Sequence, residues 1–86
     1  MNREDVLTIL RKDVAKARAL ADSASAHFDT VIKESPSGLP HPDGSLRIRN
    51  ASIEYSATQT RLRYAIKRLH AFMMDGTVPE DLNGSD

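Results

Sequence analysis

Two stretches of this chain repeat apolar or small residues at alternating steps of three and four. Between them lies SPSGLPHPDGS, Ser35 to Ser45, which holds three of the four prolines and two of the four glycines. The first series runs Leu7, Leu10, Val14, Ala17, Ala21, Ala24, Phe28, Val31, and the second runs Ile48, Ala51, Tyr55, Thr58, Leu62, Ala65, Leu69, Phe72. A three-four alternation puts every member on one side of an α-helix in heptad register. The chain is therefore expected to be all-α, with helices over about residues 3–34 and 46–74. Pro36 ends the first helix, because the residue before a proline is pushed away from helical backbone angles. The Pro/Gly segment over 35–45 then reads as a stiff connecting loop.

Folding the second series back on the first gives a consistent set of layers. If Leu7 faces Phe72, then Leu10 faces Leu69, Val14 faces Ala65, Ala17 faces Leu62, Ala21 faces Thr58, Ala24 faces Tyr55, Phe28 faces Ala51, and Val31 faces Ile48. Large residues meet small ones through the middle, as close packing requires. The fold axis of this register falls between Leu39 and Pro40, at the centre of the loop, so the packing pattern and the turn composition point to one antiparallel hairpin. The same register brings Asp13 toward Arg68 and His27 toward Glu54. Local signals agree. Asn2 with Asp5 three residues on is a box-like start, Asp43 or Ser45 can begin the second helix, Lys67, Arg68 and His70 suit its C-terminal dipole, and Gly76 can stop it. The organisation expected is a hairpin domain over residues 1–76 and a short tail over 77–86, with a single turn at Pro79 to Leu82.

A pair of helices offers one seam, and a chain of 86 residues buries only ~60% of the surface its unfolded state exposes. Apolar residues remain beside the seam at Val6, Leu20, Ile32, Ile66 and Met73, with Ile9 and Ile53 further round. Two hairpins related by a two-fold axis would bury these in a four-helix bundle, so a homodimer is expected; a different protein covering the same surface is the rival.

Twelve basic residues balance twelve acidic ones, which removes any global field for nucleic acid or anionic lipid. Locally, Arg47, Arg49, Arg61, Arg63, Lys67 and Arg68 face a single acid, Glu54, between Leu46 and Met74. Arg47, Arg61 and Arg68 share one edge of the second helix, and Arg49, Arg63 and His70 share the adjoining one. A phosphate backbone could follow them with Tyr64 stacking, which makes a nucleic-acid accessory role the alternative reading. In the loop, His41 and Asp43 are polar handles for a partner.

Nothing in the chain carries a Gly-rich phosphate loop, a nucleophile elbow or metal-spaced ligands, so no catalytic residues, metal or cofactor are expected. The absence of cysteine and of a long apolar run leads to an expectation of a cytoplasmic protein without a membrane span. Arg63 and His70, one heptad apart in RYAIKRLH, resemble the spaced arginine and histidine of helical RNA-cleaving domains, a resemblance that implies RNA cleavage within a larger bundle. In architecture alone the chain resembles small secreted helical hairpins of the WXG type; it has no tryptophan, and its turn reads SGLPHPDG. The reading carried forward is a non-enzymatic, self-associating interaction module.

Overall fold

The computed structural model describes residues 1–34 and 42–83, with side chains at 42–45 and at 83 left out of the description. The expected fold axis at Leu39 and Pro40, and His41, lie outside the described residues. Among the described residues three helices follow in order, α1 (Arg3–Glu34), α2 (Pro42–Asp75) and α3 (Glu80–Asn83). The first two pack against each other as an antiparallel hairpin.

α1 begins where its capping residues place it. The Asp5 backbone N–H donates to Asn2 Oδ1 at 2.8 Å, and the Asn2 N–H reaches the Asp5 carboxylate at 3.5 Å. This reciprocal pair satisfies donors that the first helical turn would otherwise leave open. α2 begins at Pro42, four residues before the start that apolar periodicity gave at Leu46. Proline suits the first helical position, because its locked φ is already helical and an N–H there would have no partner. Asp43 and Ser45 consequently fall inside the first turn instead of ahead of it. At the other end α2 extends to Asp75, so Lys67, Arg68 and His70 lie short of its last turn, which contains no basic residue. The cap is made by Gly76, which adopts φ 73° and donates its N–H to the Phe72 carbonyl at 2.9 Å. Only glycine takes up that left-handed angle without strain.

The antiparallel register is marked along the whole length. Arg47 pairs with Glu34 at 3.1 Å near one end, Arg68 approaches Asp13 at 3.7 Å, and the Arg3 guanidinium sits 5.1 Å from the Phe72 ring centre near the other. Leu10 is fully enclosed, in a cluster with Val6 and Phe72 that Leu7 and Leu69 flank. Toward the middle the buried residues are small: Ala17, Ala21 and Ala24 on α1, Ala51 and Ala65 on α2. The one polar residue of the second seam series, Thr58, donates its hydroxyl to the Tyr55 carbonyl at 2.8 Å and so needs no partner on α1.

One contact crosses from layer to layer. The rings of Phe28 and Tyr55 meet with centroids 5.9 Å apart and a tilt of 42°. Layers along a helix pair are about one turn apart, roughly 5 Å, so a ring reaches beyond its own layer into the next. Both rings keep part of their surface in solvent, while Ala24 and Ala51, assigned to face them, are buried.

The segment after Gly76 folds back onto the hairpin. Val78 and Leu82 pack against the Val6, Leu10 and Phe72 cluster, and the Leu82 N–H closes a turn on the Pro79 carbonyl at 3.0 Å. The whole is a rod of 57 × 18 × 18 Å.

Two consequences for stability can be measured by urea unfolding. A Cβ on Gly76 would meet nothing within 4 Å, so Gly76→Ala should cost about 1 kcal/mol through backbone strain alone, with the m-value unchanged. Ala24→Phe should cost on the order of 1–3 kcal/mol or more by overpacking the seam, whereas Ala26→Phe, two residues on and exposed, should stay within about 0.5 kcal/mol of the parent.

Candidate association surface and basic flanks

The apolar series found in the sequence serve mainly to hold α1 to α2. Leu10, Ala17, Ala21, Ala24 and Val31 of α1 and Phe72 of α2 are buried, and Leu7, Val14, Phe28, Leu62 and Leu69 are half-buried. Tyr55 keeps more than a third of its surface exposed. Leu20, Ile66 and Met73 are exposed, as is Ile32, but they do not form one stripe. Leu20 lines an open groove with Ala17, Arg61, Tyr64 and Ala65. Ile66 lies two residues from both Tyr64 and Arg68, about 200° around α2, and Met73 follows it one heptad later. These two therefore occupy the opposite flank of the seam from Leu20.

The cations are unequal. Arg68 is drawn into the fold, its side chain only 18% exposed. Its Nη2 donates to both carboxylate oxygens of Asp81 at 2.9 Å, its Nη1 lies 3.7 Å from Asp13, and its guanidinium stands 5.7 Å from the Tyr64 ring centre. Its Nε is shielded from solvent and, among the described residues, has no hydrogen-bond partner. An arginine held between two carboxylates has little charge left for a phosphate. Arg47 is engaged with Glu34, and Arg63 bonds the Gln59 carbonyl of its own helix at 3.4 Å. Arg49 and Arg61 are exposed and, among the described residues, unpaired. Because Arg61 and Arg63 are two residues apart, they point to opposite flanks and cannot contact one strand of phosphates together. His27 and Glu54 are both exposed, and no ion pair links them among the described residues.

Two open grooves mark the surface among the described residues. One is the groove beside Leu20, which also includes Asp13, Lys16 and Arg68. The other lies between the outer side of α2, at Tyr64, Lys67 and Ala71, and the C-terminal segment at Thr77, Pro79 and Asp81. Arg63 and His70 line neither. Among the described residues no three His, Asp or Glu side chains converge as metal ligands, and no helix is long and apolar enough to cross a membrane.

Sequence reasoning did not foresee the Arg68 clamp on Asp81 or the docking of Val78 and Leu82. The available signal was the pair of apolar residues four apart in TVPEDL, a spacing that lets both face one side of a single turn. If Arg68 holds that segment in place, Arg68→Ala and Asp81→Asn should each speed hydrogen exchange of the amides over 77–83. A double-mutant cycle should give a coupling of about 0.2–1 kcal/mol, since Asp81 remains largely in solvent. Arg47→Ala, at a pair more than half exposed on both sides, should leave that exchange unchanged.

Compared with protein-family models, with curated proteins and with solved structures, the chain matches none of them.

Proposed function

We propose that this hairpin is a non-enzymatic association module that pairs with a second copy of itself, two hairpins making a four-helix bundle. The observation that carries the reading is surface area. A compact folded monomer of 9.5 kDa exposes about 5,000 Å². This chain exposes 6609 Å². The excess, roughly 1,600 Å², is as large as the total surface buried in a standard protein interface. It follows from shape: the radius of gyration is 17.9 Å against ~12 Å for a compact chain of this length.

The exposed surface includes large apolar side chains. Leu20, Ile32, Leu46, Ile53, Tyr64, Ile66, Met73 and Met74 are all exposed, and burial of each such side chain is worth ~1.5–3 kcal/mol at most. A net charge of zero raises no long-range barrier between two copies. The nucleic-acid alternative draws support from Arg49, Arg61 and Lys67, but loses Arg47 and Arg68 to ion pairs within the chain.

Sedimentation of the full chain should give the mass of two chains at tens of micromolar. The unfolding temperature should rise with protein concentration, as mass action demands for a dimer. A monomer that persists to about 100 µM, a dimer no tighter than ~5 kcal/mol, would overturn self-association. Binding to mixed-sequence DNA or RNA that falls steeply with salt and vanishes in Arg61→Glu would support the alternative instead.

A further inference from the structure

The seam uses one side of α2, and the opposite side carries a second apolar series. Leu46, Ile53, Tyr64 and Met74 are exposed at 57%, 58%, 63% and 69%, more than any other large apolar side chains of the described helices. They belong to a run of alternating fours and threes, Leu46, Asn50, Ile53, Ala57, Thr60, Tyr64, Lys67, Ala71, Met74, which is heptad register again. Its members lie about 130–180° around α2 from the centre of the seam. α1 has no equivalent, for its exposed large apolar residues are Leu20 and Ile32, both beside the seam. We infer that this outer face of α2 is the dimer interface, packed antiparallel against the same face of a second copy; the inference rests on the self-association proposed above and names its surface.

Self-complementarity selects the second copy as the occupant. A two-fold axis between Ala57 and Thr60 sets Ile53 against the partner's Tyr64, Leu46 against the partner's Ala71, and Asn50 against the partner's Lys67. Leu46 meets a slim alanine, Ile53 and Tyr64 make an aliphatic–aromatic layer, Ala57 and Thr60 pack closely at the axis, and Asn50 meets Lys67, where an amide oxygen can accept from an ammonium. The groove between the outer side of α2 and the C-terminal segment, lined by Tyr64, Lys67, Ala71 and Pro79, then receives Leu46 and Ile53 of the other chain. Charge agrees at the flanks. In this register Glu54, the one acid between Leu46 and Met74, comes beside the partner's Arg61, a cation with no partner inside its own chain among the described residues. The contact is made twice across the axis.

The test compares sedimentation of Ile53→Glu and Tyr64→Glu with that of the parent and of Ile66→Glu. Ile66 is also exposed but lies on a flank of the seam, so it serves as the control. Ile53→Glu and Tyr64→Glu should weaken dimerisation by at least about a hundredfold, because each places two carboxylates in the dimer core. Both should keep the helical circular dichroism of the parent monomer, since both side chains are more than half exposed. Ile66→Glu should still sediment as a dimer. A dimer that survives Ile53→Glu and Tyr64→Glu but is lost in Ile66→Glu would overturn this interface while leaving self-association standing. A monomeric parent would overturn both. Single cysteines, introduced into a chain that has none, add a geometric readout. Mixed Ala57→Cys and Thr60→Cys chains should form the mixed disulfide on oxidation in preference to either homodisulfide, and a preference for the Ala57→Cys homodisulfide would refute the antiparallel register.

Discussion

The hairpin depends on how closely two helices can approach where the fully buried side chains between them are alanines. Ala17, Ala21 and Ala24 of α1 and Ala51 and Ala65 of α2 are all buried, and small side chains at a helix contact bring the axes toward the short end of the usual 8–10 Å. Close approach gives many dispersion contacts for little apolar volume. The consequence is a thin, continuous seam and not a globular core. The larger buried residues lie toward its ends, Leu10 and Phe72 with Val6 near the termini and Val31 toward the other end, while Val14 and Leu62 between them are half-buried. Remove the alanines and the helices would separate, which would break the register that every ion pair along the rod reports.

A thin seam makes helix ends important, because each end leaves backbone groups that no neighbouring layer covers. The chain treats the N-terminus of α1 and the C-terminus of α2 as one problem, since the hairpin places them side by side. Asn2 and Asp5 close the first, and Gly76 closes the second with its left-handed turn. That turn redirects the chain so that Val78 and Leu82 reach the Val6, Leu10 and Phe72 cluster. Arg68 then links all three elements, touching Asp13 of α1 and Asp81 beyond Gly76 from its own place on α2. A residue with five donors in a flat fork suits this position better than lysine would.

How much of this could be read from the sequence depends on the range of the forces involved. The two helices and their pairing follow from a heptad pattern, which is local and redundant; any one layer can err without spoiling the rest. Asp13 and Arg68 do meet, as the register required. The Asn2 and Gly76 caps were equally legible, since each depends on a few adjacent residues. The start of α2 at Pro42 was not, because proline is both the commonest helix breaker and a favoured first residue, and apolar periodicity does not reach that far. Phe28 against Tyr55 was missed because a one-dimensional register treats layers as flat. The role of Arg68 was missed because its second carboxylate lies past the helix end, in a segment with too few residues to show a period.

The concentration of cations on α2 acquires a physical explanation once both of its apolar series are considered. A helix with apolar residues on two opposite sides leaves only two narrow flanks for charge. One flank holds Arg47, Glu54, Arg61 and Arg68, and the other holds Arg49, Ser56, Arg63 and His70, each at heptad spacing. Arginine is well suited there, since its long stem can lie over apolar neighbours while the guanidinium stays in water or meets an acid. α1, with one apolar side, spreads its acids and bases over a much wider arc and shows no comparable ridge. Under the proposed dimer, the basic edges that suggest a nucleic-acid surface in isolation are the pattern expected of a helix that packs on two sides. Arg47 and Arg68, already paired with Glu34 and Asp81, show the inner half of that pattern in place.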